Sequence, residues 1–310
     1  MLKIILPLER QFAKTAAQLQ DTNRVPIMFH RTIVRKESTD RPPFRADFER
    51  FSDRGDLEDH PVGSRSVLLR RLKQGALFGG YLLALVLCAT GSVIALPLLA
   101  IPVGRRRERW GRHVVQFLSW THTRYLSVTG AFRSNLEVLH PLRAARGEIL
   151  IANHPTLLDA IMLFSELPQA FCLVKGSLLR NPLIAPLAQV AGFVGNEAPG
   201  GIVEECVTRL KRGETLIIFP EGTRTVEDPI NPLQPGFALI ARRSGAPVQT
   251  ILIRSKRQFL SKRVPFLRVD VEIPVLYEFA PGRRFDPREF RKAKEMSAVV
   301  EDYFRMALNG

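Results

Sequence analysis

From Gln74 to Gly104 the chain reads QGALFGGYLLALVLCATGSVIALPLLAIPVG, without one charged residue. Crossing a bilayer takes roughly 20 consecutive apolar residues, and this run exceeds that. It begins too far into the chain to be a cleaved signal peptide. A core helix this long and apolar on all sides would be unusual in a domain of this size. The run therefore predicts a membrane-embedded segment, with a buried core helix as the competing reading. RSVLLRRLK precedes it and RRRERWGR follows it. With both ends basic, the bias that orients a single crossing has no clear direction. Gly91, Pro97 and Pro102 are points where a helix can kink or end. A helical hairpin dipping into one leaflet would leave both basic ends on the anionic, cytoplasmic side. The expected location is the membrane, at the cytoplasmic face of the cell (inner) membrane.

Charge agrees with that setting. The chain has 45 Lys and Arg against 30 Asp and Glu, a formal net charge of +15. Such a balance implies a polyanionic partner. No recognised nucleic-acid motif occurs, and the apolar run favours lipid, so no nucleic acid is expected. Cys88, Cys172 and Cys206 are widely spaced with no CxxC, which points to reduced thiols rather than a zinc ribbon or a disulfide framework.

Three regions follow. Residues 1–66 are dense in charge and sparse in apolar groups, so they are expected to be poorly structured. Residues 67–112 form the membrane-embedded helix or hairpin with its basic flanks. Residues 113–310 form the folded domain. RWGRHVVQFLSWTHTRYLSV, which spans that last boundary, mixes arginine with Trp110, Phe117, Trp120 and Tyr125. It suits an interfacial helix or one packed on the folded domain. His113 and His122 on it lack ligand-like spacing.

From about Asn135 the pattern alternates. EILIAN, AFCLVK, GFVG, TLIIFP, PVQTILI and LRVDVEIPVLYEF read as strands. PTLLDAIMLFSEL, NPLIAPLAQV, GIVEECVTRLKRG, PGFALIARRSG and PREFRKAKEMSAVVEDYFRMAL read as helices. Gly213 and Gly245 are helix-stop signals. Strands alternating with helices predict an α/β fold, a mainly parallel sheet flanked by helices. In such sheets the chemistry lies beyond the carboxyl ends of the strands.

Two candidate sites fall at that edge. In NHPTLLD, His154 follows the strand EILIAN and Pro155 suits a first helical turn. His154 precedes the helix, so its ring can fold back towards Asp159. A carboxylate bonded to one ring nitrogen would leave the other as a base. A plain helix cap with a solvated aspartate is the alternative. In FPEGTR, after the strand TLIIFP, Gly222 permits close backbone approach, Thr223 offers a hydroxyl and Arg224 a planar fork suited to phosphate. Glu221 would accept a substrate hydroxyl or hold Arg224. An ordinary turn with a surface ion pair is the alternative. No GxSxG, HExxH or phosphate-loop signature occurs.

NHx4D followed by FPEGTR, each after a strand in a basic chain with a membrane segment, resembles the glycerolipid (lysophospholipid) acyltransferase family, whose familiar members acylate lysophosphatidate. The resemblance covers roughly Gln116 to Ala280. It implies His154 as general base and Asp159 as its orienting partner. It implies acceptor binding by Glu221, Gly222, Thr223 and Arg224. The co-substrate would be acyl-CoA or an acyl carrier protein thioester, and neither a cofactor, a metal nor a covalent acyl-enzyme is required. The oxyanion would meet backbone N–H groups at Pro155 to Leu157 or near Gly222.

Two blocks depart from the family pattern. The block that usually ends in a phosphate-holding arginine reads GFVGNEAPG, with Gly192 but no arginine; Lys175 in CLVKGSLL is a possible substitute or a plain surface lysine. A later block reads APVQTI, with Pro247 present and Thr250 where a second proline is expected. Both departures bear on the acceptor, which is lysophosphatidate or another lyso-lipid; the alternatives are a specialised membrane lipid without glycerophosphate, or lipid binding on an inactive fold. RSKRQFLSKRVPFLR, residues Arg254 to Arg268, is basic with interleaved apolar residues. It suits an anionic leaflet, an acidic carrier protein or plain solvation, each basic group near a leaflet contributing about 1 kcal/mol.

Overall fold

The computed structural model describes residues 64–195, 201–255, 260–263 and 274–309. The expectation for residues 1–66 therefore lies almost wholly outside the described residues, as do Asn196 and most of the basic stretch after Ser255.

Among the described residues, seven strands form one sheet: β1 (Phe132–Ser134), β2 (Ile149–Ala152), β3 (Ala170–Val174), β4 (Val194–Gly195), β5 (Thr215–Ile218), β6 (Val248–Ser255) and β7 (Val275–Phe285). Their order is β1-β7-β6-β2-β5-β3-β4. Every neighbouring pair is parallel except β6 with β7. The helices are α1 (Ser64–Leu98), α2 (Arg105–Val128), α3 (Asp159–Glu166), α4 (Ala185–Val190), α5 (Gly201–Lys211), α6 (Gly236–Ser244) and α7 (Ala293–Asn309). The expected α/β fold with a mainly parallel sheet is the fold found.

β2 shows why the sheet forms. Ile149, Leu150, Ile151 and Ala152 are all fully buried. Successive side chains point to opposite faces. Ile149 and Ile151 join a cluster with Phe237 of α6 and Phe304 of α7; Leu150 and Ala152 join Met162 and Leu163 of α3. A strand apolar on both faces needs helices on both, which is the parallel three-layer arrangement. Gly213 and Gly245, at φ 82° and 75°, follow α5 and α6 in the left-handed conformation, as expected of helix stops.

Some elements differ from expectation. The C-terminal helix starts at Ala293, and Pro287–Glu289 is a short 3-10 turn. β1 and the 3-10 helix Leu136–Ala144 were not foreseen. Gly91 does not break α1, which runs unbroken to Leu98 with Pro97 in its last turn.

α1 and α2 form an antiparallel hairpin. Tyr125 Oη donates to Ala76 O at 3.2 Å, and His122 Nε2 lies 3.0 Å from Gly80 O. Leu118 covers Gly91, where an added Cβ would lie 2.4 Å from its Cδ1. As α2 advances, its partners on α1 recede. Small residues allow this close approach. The outward surface is apolar: Leu82, Val86, Val93 and Leu96 of α1 and Trp110, Phe117 and Trp120 of α2 are at least half exposed. Arg71–Leu98 is long and apolar enough to cross a membrane.

α2 continues through residues 112 and 113, where the sequence suggested a boundary, and Arg112 binds the folded domain. Its Nη2 lies 3.0 Å from Glu108 Oε2 and 2.7 Å from Glu214 Oε2. Arg209 Nη2 reaches the same two oxygens at 2.8 and 2.9 Å. Two guanidinium groups and two carboxylates thus close a neutral, nearly buried cluster between α2, α5 and the start of β5. Burial alone would raise the Glu214 carboxyl; Arg209 and Arg112 outweigh it and leave it below its usual value. A carboxyl lowered on folding stabilises the fold above its unfolded-state value, and this is lost as pH falls through the lowered one. Glu214→Gln should therefore lower Tm at neutral pH, with the gap to the parent closing as pH falls through about 4 and below.

At Gly111 of α2 an added Cβ would lie 2.5 Å from the carbonyl carbon of Val190 and 2.6 Å from Ala191 N. Backbone cannot swing aside like a flexible side chain. Gly111→Ala should cost about 1–3 kcal/mol by overpacking. Gly75→Ala, inside α1 where nothing lies within 4 Å, should keep Tm or raise it. Thermal melts of both variants in detergent check the pair.

Candidate active site

β2 and β5 are adjacent and parallel, with Ile151 opposite Ile218. The turns leaving them start from the same edge. That brings NHPTLLD and FPEGTR side by side, although some 60 residues separate them. β6 ends at that edge too. β7, being antiparallel, begins there, with Tyr277 opposite Ser255.

His154 Nδ1 lies 2.9 Å from Asp159 Oδ2. The Asp159 side chain is fully buried and the His154 side chain is 17% exposed. The imidazole stacks on Phe219 of the FPEGTR block, with ring centroids 4.3 Å apart. With Nδ1–H assigned to the carboxylate, Nε2 is left as the basic nitrogen.

The helix expected from Pro155 starts instead at Asp159. Side chains compete for the first backbone donors, as Ser, Thr and Asp commonly do. Asp159 Oδ2 accepts from Thr156 N at 2.8 Å, and Thr156 Oγ1 accepts from Leu158 N at 3.2 Å. Pro155–Leu158 is therefore a turn, and this turn is what folds His154 back onto Asp159. Asn153 fixes its start: Nδ2 donates to Ile253 O and Oδ1 accepts from Ile253 N, both at 2.8 Å.

Glu221 differs from expectation. It is buried and faces inward. Oε1 accepts from His154 N at 2.7 Å and from Thr225 Oγ1 at 2.8 Å; Oε2 accepts from Asn231 N at 2.9 Å. Thr225 N returns a bond to His154 O at 2.7 Å. Glu221 therefore clamps the His154 backbone from the neighbouring turn. Burial raises its carboxyl above the usual value, against the donors from Asn231, His154 and Thr225.

Gly222, Thr223 and Arg224 lie further out. Gly222 has φ 67°, so the backbone calls for glycine. Thr223 is exposed and Arg224 partly so. Arg224 Nη1 donates to Leu260 O at 2.8 Å, and Leu157 N donates to the same oxygen at 3.2 Å. The oxyanion donors expected from sequence are thus engaged here: Thr156 N with Asp159, Leu157 N with Leu260, and Gly222 N with Phe219 O at 3.0 Å. A cavity of about 270 Å³ opens beside the turn, walled by Asn153, Pro155, Thr156, Arg254, Ser261 and Arg263.

Sequence reasoning missed Asn153, Thr156, Thr225, Asn231 and Tyr277. Asn153 and Thr156 flank His154 and carried a local signal, as short polar groups at a strand-to-helix turn. Tyr277 carried none beyond the rule that a buried tyrosine hydroxyl needs a partner. Thr250, in the place of the expected proline, sits in the β6 bulge and donates to Arg283 O at 2.9 Å.

Residues 133–254 match the family model described as Acyltransferase. The chain is 26% identical to a 1-acyl-sn-glycerol-3-phosphate acyltransferase of Cocos nucifera over 219 residues, covering 67% of each chain. It is 28% identical to the Helicobacter pylori protein of that name, covering 51% of this chain and 68% of the relative. It is 29% identical to a lyso-ornithine lipid O-acyltransferase of Pseudomonas aeruginosa, covering 52% of this chain and 67% of the relative. The crystal structure of the 1-acyl-sn-glycerophosphate acyltransferase PlsC from Thermotoga maritima shares the fold, with TM-score 0.56 at 20% identity over 79% of this chain and 95% of that one.

If Glu221 acts by holding His154, Glu221→Gln should lower kcat by about tenfold or more and leave the acceptor KM unchanged. A raised KM at constant kcat would mean that Glu221 meets the acceptor. Steady-state kinetics over a range of acceptor concentrations separates the two.

Proposed function

We propose that the chain, whose residues 133–254 match the family model described as Acyltransferase, moves a fatty acyl group from an acyl thioester to a hydroxyl of a lyso-lipid at a membrane surface. The observation that carries this reading is His154 Nδ1 held by the buried Asp159 at the carboxyl edge of the sheet. His154 Nε2 takes the proton of the acceptor hydroxyl as that oxygen attacks the thioester carbonyl. The tetrahedral oxyanion needs donors. Leu157 N, held by a 3.2 Å bond to Leu260 O, is the one the reaction can recruit from the expected set. Collapse expels the thiolate of coenzyme A or acyl carrier protein, which takes the proton from His154. Gly222, Thr223 and Arg224 meet the acceptor headgroup, with Arg224 exchanging the Leu260 carbonyl for an anionic oxygen.

The apolar outer surface of α1 and the aromatic residues Trp110, Phe117 and Trp120 of α2 support membrane attachment. Because α1 runs unbroken, the basic stretches before Gln74 and after Gly104 lie at its opposite ends, where each suits anionic headgroups. Residues 67–112 then act as the anchor and residues 113–310 as the catalytic domain, with α2 joining them.

A second reading concerns the acceptor alone. The GFVGNEAPG block lacks the arginine expected for a phosphate monoester, and one relative is named for a lyso-ornithine lipid. An acceptor with an amino-acid headgroup fits both observations. The purified protein in liposomes should transfer labelled acyl groups from acyl-CoA or acyl carrier protein to a lyso-lipid. Lysophosphatidate and lyso-ornithine lipid, offered in competition, decide between the readings. His154→Ala should lower kcat by about 10²–10⁴-fold or more while still inserting into the membrane. Retained activity in that variant, or acceptor binding without turnover across all donors, would contradict the proposal.

A further inference from the structure

Asp159 is held from a second side by a chain of hydroxyl groups that the reaction itself does not use. Thr156 Oγ1 lies 2.8 Å from Asp159 Oδ1. Tyr277 Oη lies 2.5 Å from Thr156 Oγ1. Ser255 is hydrogen-bonded to the Tyr277 hydroxyl in turn. We infer that Thr156 and Tyr277 are positioning residues for acyl transfer, holding the Asp159 carboxylate in the orientation that sets the His154 ring. The inference rests on the general-base reading of His154.

Counting protons fixes the direction of the chain. A threonine hydroxyl has one proton and two acceptor sites. Thr156 Oγ1 already accepts from Leu158 N. Asp159, as a carboxylate, only accepts, so the Thr156 proton lies on Oδ1. The remaining Thr156 site then accepts from Tyr277, whose proton can go nowhere else along that contact. Each hydroxyl in such a chain polarises the next, strengthening the last bond. Asp159 therefore meets donors on both oxygens: Thr156 Oγ1 on Oδ1, and Thr156 N with His154 Nδ1 on Oδ2. A carboxylate fixed at both oxygens cannot rotate, and the imidazole bonded to it keeps one orientation.

A tyrosine satisfied by any nearby oxygen would serve packing alone. Tyr277 is fully buried and stacks on Phe132 and Phe279, with centroids 5.2 and 6.3 Å apart. That packing accounts for its ring. Its hydroxyl ends on the one side-chain oxygen that also bonds Asp159. The direction of β7, reversed relative to β6, is what makes this possible, because its first residues lie at the carboxyl edge of β6 and β2. Burial, followed by the Asp159 charge, pushes the Tyr277 hydroxyl well above its usual value, so it remains a proton donor.

The test compares hydroxyl with shape. Thr156→Ser keeps the hydroxyl, and its kcat should stay within about threefold of the parent. Thr156→Val keeps the shape and loses all three bonds of the hydroxyl, so kcat should fall by about tenfold or more at unchanged KM for donor and acceptor. Tyr277→Phe should lower kcat by about three- to tenfold, again at unchanged KM. In both, the acid limb of kcat/KM should move to higher pH, because a carboxylate stripped of one donor holds the imidazolium more strongly. A purely structural role would not move that limb. Parent-like kcat and acid limb in folded Thr156→Val would overturn the inference while leaving the acyltransferase reading intact. So would a raised KM at constant kcat, which would put Thr156 against substrate. Should Tyr277→Phe fail to fold, the Thr156 pair decides. A parent protein that transfers no acyl group to any acceptor removes the function reading, and this inference with it.

Discussion

The parallel pairing of β2 with β5 is the constraint on which the site depends. Two short motifs about 60 residues apart meet because both turns leave the same edge of the sheet. Apolar residues on both faces of β2 require helices above and below, and that sandwich keeps the edge in place. Were the two strands antiparallel, one motif would sit at the opposite end of the molecule. β7, which with its parallel neighbour β1 runs against the other five strands, serves the same edge by starting where those five end.

At that edge the chemistry is held mainly by backbone clamps. Glu221 takes the N–H groups of His154 and Asn231 on separate oxygens, tying the two motifs together with one buried carboxylate. Asn153 stitches the same turn to β6 through both its amide atoms. Thr156 denies the first helical bonds to α3 and turns His154 back onto Asp159. Thr223 and Arg224 face outward from these clamps, which is why the proposed reaction gives them the acceptor. The hairpin of α1 and α2 joins this body through the cluster of Arg112, Arg209, Glu108 and Glu214. Its apolar outer surface and the site belong to one folded unit.

Long periodic signals were legible in the chain. The apolar run predicted α1, and the alternation of strands and helices predicted the parallel α/β sheet, because burial periodicity is written residue by residue. The His154–Asp159 pair was legible because both ends lie in one seven-residue stretch. The inward placement of Glu221 was not, since its partner His154 becomes a neighbour only through the sheet. The late start of α3 escaped because Pro155 reads as a first helical residue until Thr156 and Asp159 claim the donors. Tyr277 was hidden in an apolar strand, and its position depends on strand direction, which VLYEF does not encode. Gly91 read as a break, whereas it is the place where Leu118 packs closely against α1.

The central claim is that Asp159 holds the proton of His154 on Nδ1 and leaves Nε2 as the base. Nitrogen NMR of histidine-labelled protein in detergent, with the signal assigned by its loss in His154→Gln, reads this tautomer directly. The account predicts a protonated Nδ1 and a bare, basic Nε2 at neutral pH. A neutral ring protonated on Nε2 instead would contradict it.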